Sequence, residues 1–265
     1  MCGTCGCSNG NKVTITKHGE HHHEHEHDHE HDHDHEHDHE HEHAHPHKHS
    51  KTVIGVEQDI LRQNDVTAAR NRGYFEAKNI FALNLVSSPG SGKTTLLECT
   101  LTDLKTEIPF YVIEGDQQTL NDANRIAALD VPVIQINTGK GCHLESDMVY
   151  DAVKKLNLND NSVLMIENVG NLVCPSMFDL GESKRIVIIS TTEGEDKPIK
   201  YPDMFFTSDI CIINKIDLLP YVNINVENIK KYALQVNPKL LFFEVSATTG
   251  EGMEDWYKWL KENLV

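Results

Sequence analysis

A glycine-rich segment at positions 87–95, with the sequence SSPGSGKTT, follows an apolar run and precedes residues with helical spacing. This context is typical of a phosphate-binding loop, in which glycines let backbone N–H groups surround phosphate oxygens at a helix N-terminus. Lys93 is expected to contact the β- and γ-phosphates, and the Thr94 hydroxyl to bind Mg²⁺. Ser87 replaces the first glycine of the usual pattern, which the loop tolerates if Ser87 needs no positive φ. The predicted phosphate-binding residues are Ser88, Gly90, Ser91, Gly92, Lys93, Thr94 and Thr95.

The sequence Asn-Lys-Ile-Asp at positions 214–217 directly follows a second apolar run. A carboxylate at Asp217 can accept two hydrogen bonds from the N1–H and N2 amine of guanine, and adenine has no matching pair of donors. Farther along the chain, a Ser-Ala-Thr segment at 246–248 also follows an apolar run and resembles a loop that supports the base. The nucleotide is therefore predicted to be GTP, with its base bound by Asn214, Lys215, Asp217, Ser246 and Ala247.

Two carboxylates end other apolar runs: Asp116 in Glu-Gly-Asp and Glu167 in Glu-Asn-Val-Gly. Carboxylates at such positions hold Mg²⁺, often through water. Asp116 is predicted to approach Mg²⁺ or the attacking water, and Asp122 is a second candidate that could instead cap a helix. The Gly170 N–H is expected to sense the γ-phosphate. The predicted catalytic residues are Lys93, Thr94, Asp116 and Glu167, of which Thr94, Asp116 and Glu167 are the predicted Mg²⁺ ligands.

The N-terminal region contains two groups of transition-metal ligands. Three thiolates, at Cys2, Cys5 and Cys7, lie within six residues, and the α-amine of Cys2 would be a fourth ligand once Met1 is removed. A planar N/S set suits Ni²⁺ and a tetrahedral one suits Zn²⁺. In the next segment histidine alternates with Asp or Glu, which predicts a store for several ions. Its predicted ligands are His21, His23, His25, His27, His29, His31, His33, His35, His37, His39, His41, His43, His45, His47 and His49.

A third group of metal ligands lies inside the apolar-rich part of the chain. Cys142 and His143 follow one predicted strand, and Cys174 lies four residues beyond Gly170 at the end of another. All three are in loops that leave strands, so they could converge on one ion. Spacing alone equally allows buried thiols and a histidine that begins a helix. Cys99 and Cys211 are interpreted as core residues because they lie inside a predicted helix and a predicted strand.

The elements that position these motifs follow from the alternation of apolar runs with helix-like segments. A helix is predicted over Val53–Ala77, and strands over Phe81–Ser87, Phe110–Glu114, Val131–Ile136, Val163–Glu167, Arg185–Ile189, Asp209–Ile213 and Leu241–Val245. This pattern predicts an α/β fold with a doubly wound, mostly parallel sheet, in which ligands bind beyond the carboxyl ends of the strands. Residues 1–17 form a Cys-rich metal motif, 18–50 a disordered tract and 51–265 the nucleotide-binding domain in this prediction.

Composition narrows the possible partners and the compartment. The net charge is −17, and residues 18–49 contain 11 of the 41 acidic residues and one of the 24 basic ones. Without a basic patch, nucleic acid and anionic membranes are not expected partners. No apolar run approaches the ~20 residues of a spanning helix, and no signal-peptide pattern is visible. An odd number of cysteines, seven, favours reduced thiols and a cytoplasmic protein.

Taken together, the motifs resemble the HypB family, the accessory GTPases of nickel–iron hydrogenase maturation. The resemblance covers nearly the whole chain and rests on the N-terminal cysteines, the His tract, and the segments 86–95, 114–119, 142–143, 167–175 and 214–217. It implies a P-loop protein that dimerises around bound nucleotide, with a tight nickel site at the N-terminal cysteines. It also implies a Ni²⁺ or Zn²⁺ site at the dimer interface, made by Cys142, His143 and Cys174. The implied partners are HypA, the nickel chaperone SlyD and the hydrogenase large-subunit precursor.

Two other functions remain open at this point. UreG, the related GTPase of urease maturation, also has a P-loop and can have a His-rich start, although the N-terminal cysteines and the segment 167–175 favour HypB. A nickel or zinc storage protein with an inactive domain is the non-enzymatic alternative. Intact Lys93, Thr94 and Asp217 argue against it, and GTP turnover would exclude it.

Overall fold

A computed structural model describes residues 14–17, 53–116 and 121–264 of the chain. Cys2, Cys5, Cys7 and the histidines from His21 to His49 lie outside the described residues. The expectations of a disordered extension and of domain boundaries near residues 17 and 50 therefore stay predictions.

The described residues form one eight-stranded sheet with the spatial order β1-β4-β3-β5-β2-β6-β7-β8. Seven strands run parallel, and β1 pairs with β4 in the antiparallel direction at the edge. The fold class predicted from the sequence, a doubly wound and mostly parallel sheet, is confirmed. The strands are β1 (Thr14–Lys17), β2 (Phe81–Ser87), β3 (Phe110–Asp116), β4 (Val133–Asn137), β5 (Val163–Gly170), β6 (Lys184–Ser190), β7 (Ile210–Asn214) and β8 (Leu241–Glu244).

Helices cover both faces of the sheet, so most residues of β2 to β7 are buried. One face packs Leu97, Ile126 and Trp256 against the sheet, and the other packs Phe75 and Val149. No helix within the described ranges is long and apolar enough to cross a membrane. The helices are α1 (Val53–Ala77), α2 (Lys93–Leu104), α3 (Asn121–Ala127), α4 (Ser146–Leu156), α5 (Lys197–Lys200), α6 (Pro202–Phe206), α7 (Val226–Val236) and α8 (Met253–Glu262), with 3₁₀ turns at Cys174–Met177 and Ile216–Tyr221.

The bounds of α1 and β2 agree with the prediction, whereas several strand ends differ. β3 ends at Asp116 and β5 at Gly170, beyond the predicted ends, because parallel pairing continues through the polar residues there. β4 begins at Val133, since Pro132 has no N–H to donate, although its carbonyl accepts from Val112 N. β1 was not predicted at all. Because the predicted motifs follow the ends of parallel strands, they lie at the carboxyl end of the sheet, where ligands of this fold class bind.

Candidate nucleotide and metal sites

The glycine-rich segment connects β2 to α2 as a tight loop. Gly90 and Gly92 have φ values of 79° and 90°, which L side chains rarely adopt. A Cβ at Gly92 would also lie 2.4 Å from the Nδ2 of Asn214. Ser87 ends β2 without a positive φ, so the condition for a serine at the first loop position is met. The loop therefore presents backbone N–H groups at the N-terminus of α2, a site suited to phosphate.

Glu167 lies at the centre of the polar groups that follow this loop. Its buried Oε1 accepts hydrogen bonds from Lys93 Nζ and Thr94 Oγ1, each at 2.6 Å. Its Oε2 is buried and has no hydrogen-bond partner. Thr94 Oγ1 also lies 3.4 Å from Asp122 Oδ2 on α3. A hydroxyl and two carboxylates thus converge beside the phosphate loop, and this oxygen set fits Mg²⁺.

Asp116, the other predicted Mg²⁺ ligand, ends β3, and its backbone carbonyl accepts from Thr138. Residues 117–120, between it and α3, lie outside the described residues. The contact between Thr94 Oγ1 and Asp122 Oδ2 makes Asp122, together with Asp116, a candidate ligand at the predicted Mg²⁺ position.

A buried carboxyl that the sequence did not single out lies next to this cluster. Glu114 is 2% exposed and pairs in register with Glu167 on β5, so their side chains share one face of the sheet. Burial, and then the charges of Glu167 and Asp116, raise the pKa of Glu114 to about 8. Its Oε2 has no hydrogen-bond partner. Glu114 is thus a carboxyl that holds a proton near neutral pH in this environment.

Two residues of the predicted guanine motif have different surroundings. Asn214 Nδ2 donates to Ser91 O at 2.9 Å, and its Oδ1 accepts from Lys215 N and Ala247 N. Asn214 therefore connects the phosphate loop, β7 and the Ser246–Ala247 loop. The buried Oδ1 of Asp217, by contrast, has no hydrogen-bond partner. An unpaired carboxylate oxygen is costly to bury, and it suits the two adjacent donors of guanine.

The flanks of the phosphate loop are held by contacts from later segments. Lys215, in the left-handed conformation, donates from Nζ to Gly90 O at 2.7 Å. Ser88 Oγ donates to Glu193, a residue that the sequence analysis missed. Glu193 is fixed in turn by Ser190 N, which donates to its Oε1 at 2.9 Å. No pattern in the sequence could identify this contact, because it joins residues 105 positions apart.

The structure brings the three metal ligands of the domain together. One ligand atom each from Cys142, His143 and Cys174 lies within 4.8 Å of the others. Cys142 Sγ is 3.8 Å from His143 Nδ1, and Cys174 begins the 3₁₀ turn at the exit of β5. Cys174 and His143 are buried, while Cys142 is half-buried. Two soft sulfurs and an imidazole suit Ni²⁺ or Zn²⁺.

Two neighbours hold the imidazole of His143 in place. Its ring stacks on Phe178, with centroids 3.9 Å apart. Its Nε2 lies 3.5 Å from Glu145 Oε1, so the ring nitrogens face Cys142 on one side and a carboxylate on the other. Metal-bound histidines commonly have such a carboxylate behind them. Of the two core cysteines, Cys211 is fully buried in β7, and Cys99 is only half-buried in α2.

Comparisons with known proteins agree with this geometry. Residues 81–244 match the family described as the CobW/HypB/UreG nucleotide-binding domain, so the chain belongs to that family of P-loop proteins. Within it the chain groups with HypB: it is 55% identical over 211 residues to the hydrogenase maturation factor HypB of Escherichia coli K12, covering 80% of this chain and 73% of that protein. The resemblance stated from the motifs is confirmed.

Two solved HypB structures share the fold. HypB of Archaeoglobus fulgidus has a TM-score of 0.72 and 37% identity, over 77% of this chain and 100% of that chain. HypB of Helicobacter pylori, solved in complex with nickel, has a TM-score of 0.70 and 41% identity, over 76% of this chain and 94% of that chain. The family match over residues 81–244 includes the phosphate loop and the three clustered metal ligands.

Proposed function

We propose that this protein is a cytoplasmic, Mg²⁺-dependent GTPase that delivers nickel during the maturation of nickel–iron hydrogenase. One observation carries the proposal: the Cys142, His143 and Cys174 cluster is built on the same end of the sheet as the phosphate loop. A storage protein needs no such proximity, whereas a metal site that responds to nucleotide does. The HypB relatives, one of them solved with nickel, support this function over a urease-specific or storage role.

The nucleotide part of the proposal assigns roles to the polar groups of the loop. The unpaired, buried oxygens of Ser91 and Asp217 are available to a bound nucleotide, and Asp217 would read guanine. Thr94, Glu167 and either Asp122 or Asp116 would hold Mg²⁺, which supplies positive charge to the phosphates. Lys93 now pairs with Glu167, and the greater charge of a triphosphate would draw its ammonium toward the phosphates. Whichever of Asp122 and Asp116 does not bind Mg²⁺ would orient the attacking water.

The metal is cargo in this proposal, and the three-ligand site is one ligand short of the usual four. A second copy of the chain would supply the missing ligand, which makes the protein a homodimer with the metal at its interface. Two exposed apolar residues, Val173 and Met177, lie beside Cys174 and support such a contact. Cys174 follows Gly170 by four residues, so loss of the γ-phosphate would displace it. The site would thus hold Ni²⁺ or Zn²⁺ in one nucleotide state and release it in the other.

The N-terminal segments complete the proposed nickel pathway. Cys2, Cys5 and Cys7 would bind one Ni²⁺ tightly, and the His21–His49 tract would keep a reserve of ions. HypA and the hydrogenase large-subunit precursor are the proposed recipients. The nickel chaperone SlyD is a further candidate partner, since the resemblance to HypB implies it.

Deletion of the gene in its host tests the proposal. Hydrogenase activity should be lost and should return with added nickel, while urease activity is unaffected. Loss of urease alone would favour the UreG-like alternative. Complementation should be carried out with wild type and with Lys93→Ala, which removes a charged phosphate contact worth about 1.5–3 kcal/mol. If Lys93→Ala restores hydrogenase fully, nickel storage without GTP turnover is sufficient and the GTPase proposal is wrong.

A further inference from the structure

We propose that Asn168 is the positioning residue that couples the nucleotide end of β5 to the Cys142–His143 half of the metal site. The inference rests on the proposed function, since it assumes a metal site that responds to nucleotide. It goes beyond it because the path from Gly170 to Cys174 leads directly to only one of the three ligands. The other two are in a different loop, which Asn171 contacts by donating from Nδ2 to the Cys142 carbonyl at 3.3 Å. Asn168 provides a second, buried connection to this loop on its His143 side.

Asn168 occupies a position between the two functional groups of β5. Glu167, the residue before it, contacts Lys93 and Thr94, and Gly170 follows two residues later. The Asn168 side chain is fully buried, and its Oδ1 accepts two backbone hydrogen bonds. One comes from Val169 N at 2.9 Å, and the other comes from Leu144 N at 3.1 Å. A single oxygen therefore joins the nucleotide-side strand to the loop that carries His143.

Leu144 is well placed to transmit a displacement to its neighbour His143. Its side chain is fully buried and packs onto Gly115 of β3, where a Cβ would lie 2.9 Å from its Cδ2. Its backbone N–H is held by Asn168. The residue is thus fixed to β3 and β5 at the level of the Glu114–Glu167 pair. Packed groups of this kind move as a unit, because protein interiors leave little free volume.

The other face of Asn168 connects to the segment that bears Cys174. Asn168 Nδ2 donates to Asn84 Oδ1 at 3.3 Å, and Asn84 Nδ2 donates to Glu182 Oε1 at 3.0 Å. Glu182 is paired with the buried Arg185, which donates to the carbonyls of Ser176 and Phe178. The network therefore reaches the 3₁₀ turn of Cys174 and also Phe178, on which His143 stacks.

Asparagine is the side chain that this position requires. An acceptor must serve two backbone N–H groups while a donor serves Asn84, and an amide provides both. Aspartate lacks the donor and would add a charge next to Glu167. Leucine has the same branching and number of side-chain heavy atoms but leaves the N–H of Leu144 unpaired and buried, which costs about 1–3 kcal/mol. Asn168→Leu thus cuts the connection while keeping the branching of the side chain.

The test measures coupling in the full-length protein from its nucleotide side, because coupling between two binding sites is reciprocal. Affinities for GDP and for a non-hydrolysable GTP analogue are measured with and without Ni²⁺, and the Ni²⁺-induced change in their ratio is the coupling factor. A Cys142→Ser, Cys174→Ser chain gives the baseline from the N-terminal ions. Asn168→Leu should reduce the coupling factor by about threefold or more, a typical effect along coupled networks.

Asn71→Leu is the matched control. Asn71 is also buried and donates to Ser146 O and Leu180 O, neither of which belongs to β5. It should lower stability while keeping the wild-type coupling factor. A full coupling factor in Asn168→Leu, or an equal loss in Asn71→Leu, would overturn the role of Asn168 alone. If the coupling factor of the wild-type protein is no larger than that of the Cys142→Ser, Cys174→Ser chain, the nucleotide-gated site is overturned as well.

A second measurement needs no variant. Hydrogen exchange of the Leu144 amide in wild type should differ between the GDP and GTP-analogue complexes, since that N–H donates to Asn168. Equal protection in both complexes would contradict the proposal even if Asn168→Leu failed to fold.

Discussion

Asn214 and Asp217, three residues apart in one motif, have different contacts in the structure. Both polar groups of Asn214 are engaged by the protein, through Ser91, Lys215 and Ala247. The Oδ1 of Asp217 has no such partner. Guanine selectivity should therefore depend on Asp217, whereas Asn214 shapes the pocket for any nucleotide.

Asp217→Asn should weaken GTP binding and favour xanthosine triphosphate, because the C2 carbonyl of xanthine requires a donor where guanine offers one. Loss of a charged hydrogen bond predicts a decrease of about tenfold or more in GTP affinity. The measurement is calorimetric titration with GTP, ATP and xanthosine triphosphate. Asn214→Ala is the control and should weaken all three nucleotides together. Equal wild-type affinity for ATP and GTP would rule out the guanine assignment.

Glu145 should strengthen metal binding through His143 without contacting the metal itself. Carboxylates behind a metal-bound histidine orient the ring and raise its basicity, and their loss typically costs about 10–100-fold in metal affinity. Glu145→Ala should show this loss, and Glu145→Gln a smaller one, since an amide oxygen in the same place can accept from Nε2 once the metal occupies Nδ1. Asp147→Asn is the control, since Asp147 is an acidic residue in the first turn of α4, two residues after Glu145.

The binding can be followed by thiolate-to-nickel absorption in full-length chains that also carry Cys2→Ser, Cys5→Ser and Cys7→Ser. In these chains the remaining thiols are those of Cys99, Cys142, Cys174 and Cys211. The signal reports Cys142 and Cys174, because these two lie together with His143 within reach of one ion. Unchanged affinity in Glu145→Ala would leave Glu145 as a surface carboxylate with no part in the site.

Glu114 should make the nucleotide-free protein less stable as pH rises. Its pKa of about 8 in the folded state exceeds the ordinary carboxyl value of 4.5. The folded state then binds more protons than the unfolded state between these values, so stability falls with rising pH. Glu114→Gln removes this dependence. In denaturant unfolding without Mg²⁺, the free energy of unfolding of Glu114→Gln relative to that of wild type should increase by more than about 1 kcal/mol between pH 5 and pH 8. Parallel pH profiles would contradict the raised pKa.

The residues that chemistry requires were predictable, and most of those that support them were not. Lys93, Thr94 and Asp217 belong to contiguous patterns whose residue types are set by phosphate and guanine. Glu193 and Asn168 act through hydrogen bonds to segments 105 and 24 residues away. Such contacts depend on the packing of strands and loops, which local sequence does not encode.

At the level of elements, burial decides which strands the sequence can predict. β2, β5 and β7 are buried on both faces and appear as mainly apolar runs. β1 has four residues with one large apolar side chain, Ile15, and its pairing with β4 is what makes it a strand. Apolar periodicity therefore could not predict β1.

The turn between β2 and α2 offers a test of the phosphate loop as an element. Gly92→Ala places a Cβ 2.4 Å from Asn214 Nδ2 at a φ of 90°. Strain of about 1–3 kcal/mol in the loop should lower the affinity for GTP and GDP by about tenfold or more. Gly250→Ala is the control, because Gly250 has a φ of 82° but no atom within 4 Å of its Cβ position. It should lower the melting temperature while nucleotide affinity stays near wild type. Equal nucleotide binding by both variants would show that the loop has room for a side chain.

At the scale of the whole molecule, the His tract connects two elements of the folded domain. It lies between β1, which ends at Lys17, and α1, which begins at Val53. Register places Thr14 beside Asn137, at the end of β4 that leads to Cys142. Deleting residues 18–49 would leave only three residues between β1 and α1 and could pull β1 from the sheet. Deletion would then remove metal ligands and disturb the sheet at the same time, so the two effects could not be distinguished.

Replacing the histidines of residues 21–49 by asparagine separates these effects, because it keeps the length of the connection and removes the imidazoles. The number of Ni²⁺ ions bound per chain should fall to those of the cysteine-containing sites. GTP hydrolysis should stay near wild type, since every nucleotide motif lies between residues 87 and 248. Equilibrium dialysis with Ni²⁺ and phosphate release measure the two quantities on the same sample.

The matched control replaces the Asp and Glu of the tract by Asn and Gln, which should preserve most of the bound Ni²⁺ because imidazole is the stronger ligand for this ion. A collapse of hydrolysis in the histidine variant would mean that the tract acts on the nucleotide site, and unchanged Ni²⁺ stoichiometry would mean that it stores no metal.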